Sequence, residues 1–168
     1  SEYFRLNTII IKVMQTPGHT PEHVCFLVSD TSKAKENPMA LFSGDLIFPR
    51  SIGIPEENDK KKWTGLAKKL YTSLQEEIKP LPDNIKIFPT HGTGFSSGFE
   101  VSEKKSEYET MVIKERMYTT LEQERLFNPY LKATLKEEAF VDLLSSRFPS
   151  LPSYYHRVKI RNASFLNQ

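Results

Sequence analysis

Four short runs of β-branched and apolar residues, each closed by a turn-forming segment, constrain most of what this chain can fold into. Residues 7 to 15, Asn-Thr-Ile-Ile-Ile-Lys-Val-Met-Gln, read as a strand stopped by Thr16-Pro17-Gly18. Residues 24 to 29 read as a second strand, and the polar segment from Asp30 to Pro38 reads as a loop or hairpin connection. Met39 to Ser43 read as a third strand, stopped by Gly44-Asp45, and Ile85 to Phe88 as a fourth. Between the third and fourth, residues 49 to 62 read as an irregular loop containing Pro49, Gly53 and Pro55. Trp63, Leu66, Leu70, Leu74 and Ile78 then recur at three- and four-residue steps, the stripe of an amphipathic helix ending before Pro80 and Pro82. Strands interleaved with such a helix predict an α/β chain.

Beyond Gly98 the pattern turns helical, with one helix predicted over 103 to 126 and a second over 136 to 146, the latter carrying Phe140, Leu143 and Leu144 on one side. With 168 residues, one domain is expected. The 23 basic and 21 acidic residues nearly cancel, leaving +2, too weak a field to predict nucleic-acid binding. Lys60, Lys61, Lys62, Lys68 and Lys69, near Glu56, Glu57 and Asp59, read as a solvated face. No run reaches the ~18 apolar residues of a membrane span, and the N-terminus lacks the basic and apolar regions of a signal peptide. Cys25 is the single cysteine, which excludes an internal disulfide and predicts a cytoplasmic protein. Its apolar neighbours favour a small core residue over a reactive thiol.

The residues with chemistry in them sit at the ends of the predicted strands. His19 and His23 follow the first, Asp45 the third and His91 the fourth. Ligands at strand ends converge when those strands are neighbours in a sheet. Histidine and carboxylate together suit zinc or non-haem Fe(II). On residue types alone, turn residues explain the same pattern.

Three segments carry a family resemblance. Thr16-Pro17-Gly18-His19-Thr20-Pro21-Glu22-His23, Leu41-Phe42-Ser43-Gly44-Asp45-Leu46-Ile47-Phe48 and Phe88-Pro89-Thr90-His91-Gly92-Thr93-Gly94 resemble, in order and spacing, three motifs of the metallo-β-lactamase superfamily. The resemblance implies the C-terminal half of an αββα sandwich: a mixed sheet with flanking helices and a helical extension. It implies a partial domain over 1–150 and, over 151–168, a linker toward a rhodanese module. Pro89-Thr90-His91-Gly92-Thr93-Gly94, Glu124 to Leu131 and Leu151 to Asn162 are similar to the persulfide dioxygenase branch rather than glyoxalase II.

That branch implies roles residue by residue. His19 and Asp45 match metal ligands; His91 matches a second metal position or a substrate-lining residue; His23, Thr16 and Gly44 match supporting positions. The implied cofactor is Fe(II), with zinc the alternative, and the implied substrate is glutathione persulfide or a related thiol persulfide. Two departures stand out. The family's H-x-H-x-D-H motif has no counterpart, since no histidine precedes His19, and Ile54 stands where the branch carries arginine. The chain is therefore read as a site-incomplete part of an iron persulfide dioxygenase. The alternatives are a zinc-dependent thioester or lactone hydrolase, and an inactive fragment that associates with its missing half or with itself.

Overall fold

The computed structural model describes residues 2–32, 38–57, 59–91, 118–132 and 135–146, together with 154, 157, 158, 160 and 161. The β-branched runs form strands because each can bury one side of a pleated surface. In chain order these are β1 (Tyr3–Leu6), β2 (Ile9–Gln15), β3 (Val24–Asp30) and β4 (Pro38–Gly44). A small hairpin, β5 (Ile47–Phe48) with β6 (Ser51–Ile52), precedes helix α1 (Lys60–Ser73). After α1 come β7 (Lys86–Pro89), β8 (Thr119–Thr120), α2 (Leu121–Phe127) and α3 (Glu137–Ser146).

The main sheet has six strands in the order β1-β2-β3-β4-β7-β8. Among the described strands only β4 and β7 run parallel, joined by the crossover that contains α1. The sheet is therefore mixed, as expected. Two strand expectations are corrected. The strand predicted over 7 to 15 is present but begins at Ile9, because Asn7 adopts φ 54° and turns the chain, pairing Leu6 with Ile9. Asparagine tolerates that left-handed conformation. The stretch 49 to 62 is not wholly irregular, because it contains β6 and the first turn of α1.

α1 is capped by Asp59, whose carboxylate accepts from the Lys62 amide at 2.9 Å. Trp63, Leu66, Leu70, Leu74 and Ile78 are all buried, so the predicted stripe is the buried face. Its last five residues, Leu74–Ile78, continue as a π-helix, closed by a bond from the Lys79 amide to the Leu74 carbonyl. This stripe covers one face of the sheet, packing into a core with Met14, Cys25, Leu27, Leu41 and Ile87.

The predicted helix over 103 to 126 is corrected where it is described. Thr119–Thr120 pair with β7, and helix begins only at Leu121. Most of that prediction, and most of the predicted 151–168 linker, lie outside the described residues. The helix predicted over 136 to 146 is present as α3, with Phe140 and Leu144 buried.

The opposite sheet face bears Val13, Phe26, Phe42 and Phe88 as cross-strand partners in register. Phe26 and Phe42 are 41% and 47% exposed, which marks this face as uncovered by the described residues. Phe42 stacks on Phe88 at 5.3 Å between ring centroids, and Tyr118 leans on Phe88 at 5.5 Å.

Candidate functional site

β2, β4 and β7 deliver His19, Asp45 and His91 to one end of the sheet. His19 Nε2 lies 3.4 Å from Asp45 Oδ2, and His91 Nε2 lies 3.6 Å from Asp45 Oδ1. The structure thus brings these three predicted site residues together around one carboxylate.

The turn bearing His19 is held by close approach. A Cβ on Gly18 would sit 2.4 Å from Leu70 Cβ, so only glycine lets α1 lie against this turn. Ser73 Oγ donates to the Pro17 carbonyl at 2.8 Å, and the Glu56 amide donates to the His19 carbonyl at 2.8 Å. His19 Nδ1 lies 2.6 Å from the Ile54 carbonyl, which can only accept. Nδ1 therefore carries a proton, and Nε2 is the nitrogen turned toward Asp45, able to offer a lone pair when the ring is neutral. This is the tautomer and orienting bond that metal-ligating histidines commonly use.

The backbone carbonyl of Ile54 makes that bond, so the side-chain departure at this position leaves it intact. Gly53 is what lets the segment come close. A Cβ there would lie 1.9 Å from the Asp45 carbonyl oxygen and 3.1 Å from His19 Nδ1. Glu56 also reaches the site, with Oε1 4.0 Å from His19 Nε2.

Asp45 is anchored through its backbone. Its amide donates to His23 Nε2 at 3.1 Å, and Gly44 before it adopts φ 54°, where a Cβ would meet that same nitrogen at 2.8 Å. His23 Nε2 is thus occupied by an amide and turned away from ligand duty. Burial, with the neighbouring His19 adding to it, lowers the His23 pKa from the ordinary histidine value. Thr16, fully buried, bonds His23 Nδ1 at 2.9 Å. His23 and Gly44 accordingly adjoin Asp45, and Thr16 stands behind His23. His91 stacks on Phe48 at 4.6 Å between centroids, and the Thr90 amide donates to the Gly44 carbonyl at 3.1 Å.

Cys25 is completely buried and its thiol is pushed up to about 12, chiefly by burial. It is a core residue, as its neighbours imply. The Glu124 to Leu131 segment also has a structural task. Glu124, buried, accepts from the Arg50 amide, the Asn128 side-chain amide and the Thr119 hydroxyl at 2.8, 2.9 and 2.8 Å. Asn128 Nδ2 also donates to the Ser51 carbonyl at 2.9 Å. This network clamps the β5–β6 hairpin, which carries Phe48 and leads into Gly53 and Ile54.

The donor set suits a divalent transition metal. Asp45 Oδ1 is buried without a hydrogen-bond partner among the described residues, an arrangement that a cation would relieve. The set is also partial: among the described residues no three His, Cys, Asp or Glu side chains group closely enough to hold a metal ion. His19, Asp45 and His91 would contribute to a metal centre, and further donors are needed to complete it.

The fold is that of metallo-β-lactamase-like proteins, and comparison with known proteins agrees: over most of its length the chain is similar to members of the metallo-β-lactamase superfamily. A metallo-β-lactamase from Staphylococcus aureus subsp. aureus COL matches 96% of this chain with TM-score 0.72 and 33% identity, over 42% of its own length. Human mitochondrial persulfide dioxygenase ETHE1 is 32% identical over 142 residues, 84% of this chain and 42% of the relative. A hydroxyacylglutathione hydrolase from Nitrosococcus oceani is 28% identical over 156 residues, 87% of this chain and 54% of the relative. The chain spans about half the length of the curated relatives it matches. A scan of family models finds no match.

Proposed function

We propose that this chain forms part of a non-haem Fe(II) persulfide dioxygenase. The observation that carries the proposal is the site geometry: His19, with Nδ1 tied to the Ile54 carbonyl, turns Nε2 toward Asp45 Oδ2, while Asp45 Oδ1 is buried without a hydrogen-bond partner among the described residues. Histidine plus carboxylate with open positions is the donor chemistry of such iron sites. The similarity to a persulfide dioxygenase over 84% of the chain supports this branch. Bound iron would supply a centre where O₂ and a persulfide sulfur meet, so that oxidation becomes intramolecular. The outer sulfur of glutathione persulfide would take both oxygens of O₂ and one from water, leaving as sulfite with release of the thiol. In this chain, His19 and Asp45 would hold the metal, and His91, backed by Phe48, would line the substrate side.

A zinc hydrolase reading has its own observation. The two Asp45 oxygens face different histidines, Oδ2 toward His19 and Oδ1 toward His91. A carboxylate divided in this way suits two bridged metals, and the hydroxyacylglutathione hydrolase is a relative of comparable similarity.

The remaining donors would come from a second half that packs on the aromatic sheet face, either in a longer chain or in a partner. Residues 1–150 would then be part of one domain and 151–168 a connection beyond it.

Anaerobic elemental analysis separates the readings. With that second half present, about one iron per chain, with O₂ uptake on glutathione persulfide, is the dioxygenase outcome. Two zinc ions, with thioester hydrolysis, is the other. In the iron case His19→Ala or Asp45→Ala removes most of the metal and His91→Ala leaves it bound. Equal loss in all three sinks the mononuclear reading.

A further inference from the structure

Hydrogen-bond donors of fixed identity set the direction of a closed ring behind Asp45. The Asp45 backbone N–H can only donate, so His23 Nε2 accepts at 3.1 Å and carries no proton. A neutral imidazole then has its proton on Nδ1, which points at Thr16 Oγ1 at 2.9 Å. Having accepted there, the Thr16 hydroxyl has its own hydrogen free for Cys25 Sγ at 3.3 Å. The Cys25 thiol in turn donates to the Ser43 carbonyl at 3.4 Å. Both ends of this chain of four bonds therefore land on one three-residue turn, Ser43-Gly44-Asp45.

We infer that His23 is a positioning residue, locked as the neutral Nδ1–H tautomer, and that the ring His23–Thr16–Cys25 clamps the Ser43–Asp45 turn and so aims the Asp45 carboxylate. Three features of the turn are consistent with this arrangement. A proton on His23 Nε2 would set N–H against N–H at the Asp45 amide. Gly44 has no Cβ, and one would collide with His23 Nε2 at 2.8 Å. Ser43 Oγ is turned away from the ring and donates to the Ile47 carbonyl at 2.9 Å, leaving the Ser43 carbonyl as acceptor. The ring also gives Cys25 a task that its burial alone does not: it transmits no charge, but it holds the upstream end of the turn. The importance of this aim rests on the proposed role of Asp45; the existence of the ring does not.

Long-range ¹H–¹⁵N correlation of the ¹⁵N-labelled, metal-free chain reads the tautomer directly. The expected pattern for His23 is a protonated Nδ1 and an unprotonated Nε2 in a single slow form. A protonated Nε2, or an averaged pattern, overturns the inference. Amide hydrogen exchange supplies the second readout. His23→Leu removes the acceptor, and the Asp45 amide should exchange about tenfold faster, while His23→Gln, whose Oε1 can take the place of Nε2, should keep most of the protection. Equal exchange in both variants and the wild type overturns it. Should the leucine variant fail to fold, the glutamine variant and the wild-type tautomer still decide. Neither readout involves metal or turnover, so an inactive or zinc-loaded protein leaves the test intact.

Discussion

At the scale of single residues, the site depends on close approaches that allow no extra atoms. Gly53→Ala would drive a methyl group into the Asp45 carbonyl at 1.9 Å, and backbone cannot yield as a side chain can. The expected outcome is a loss of more than about 2 kcal/mol in urea unfolding, with weakened metal binding because the Ile54 carbonyl retreats from His19. An unchanged midpoint would show that the turn relaxes. Glu124 offers a second test. Three donors converge on its buried carboxylate, so Glu124→Ala strands them and should cost about 3 kcal/mol. Burial raises the Glu124 pKa in the folded chain. Between the unfolded and folded values the folded state holds the extra proton, so this group's contribution to stability is full in acid and is lost as pH rises through its folded pKa. Glu124→Gln should flatten that slope in the acid-to-neutral range of a stability profile. A slope equal to wild type would assign the effect to another group.

At the scale of elements, α1 is the strut. It carries the cap at Asp59, the contact of Leu70 with the Gly18 turn and the Ser73 bond to Pro17. Leu70→Ala removes a fully buried side chain and should cost about 3 kcal/mol, while also loosening the turn that holds His19. Asp59→Ala removes only the cap, with an expected loss of about 1 kcal/mol and no effect at the site. Comparable losses in the two variants would contradict this division. The Lys68–Glu137 pair between α1 and α3 is solvated, so added salt should hardly change stability through it. The π-helical end of α1 has a clear hydrogen bond at Lys79 but no evident cause in the residues that form it.

At the scale of the whole molecule, one sheet face is packed and the other is left uncovered by the described residues. Domains are built from layers that cover both faces of such a sheet, and an exposed row of aromatic rings favours association. Isolated at high concentration, the chain should scatter light as a dimer or larger species. Phe42→Lys should shift it toward monomer with little loss of stability, since Phe42 is 47% exposed. A wild-type chain that stays monomeric at millimolar concentration would refute the idea that this face needs a partner. Among the described residues no helix is long and apolar enough to cross a membrane.

Much of this was legible without coordinates, because periodicity and turn chemistry are local. The cores of β3, β4 and β7, the buried stripe of α1 and the placing of His19, Asp45 and His91 after strands all followed from residue order. The Asn7 turn and the strand at Thr119–Thr120 did not, since each depends on a partner strand that supplies its hydrogen bonds. The parts of the site that sequence reasoning missed are backbone and ring contacts: the Ile54 carbonyl on His19, Phe48 beneath His91, Glu56 at the rim, and Cys25 in the ring behind Asp45. Any residue carries a carbonyl, and any phenylalanine is first a hydrophobe, so residue type alone does not announce these roles. The order of the residues determined which groups could meet at one end of the sheet. Only tertiary packing decided which nitrogen each histidine presents, because that is set by the donor or acceptor lying across from it.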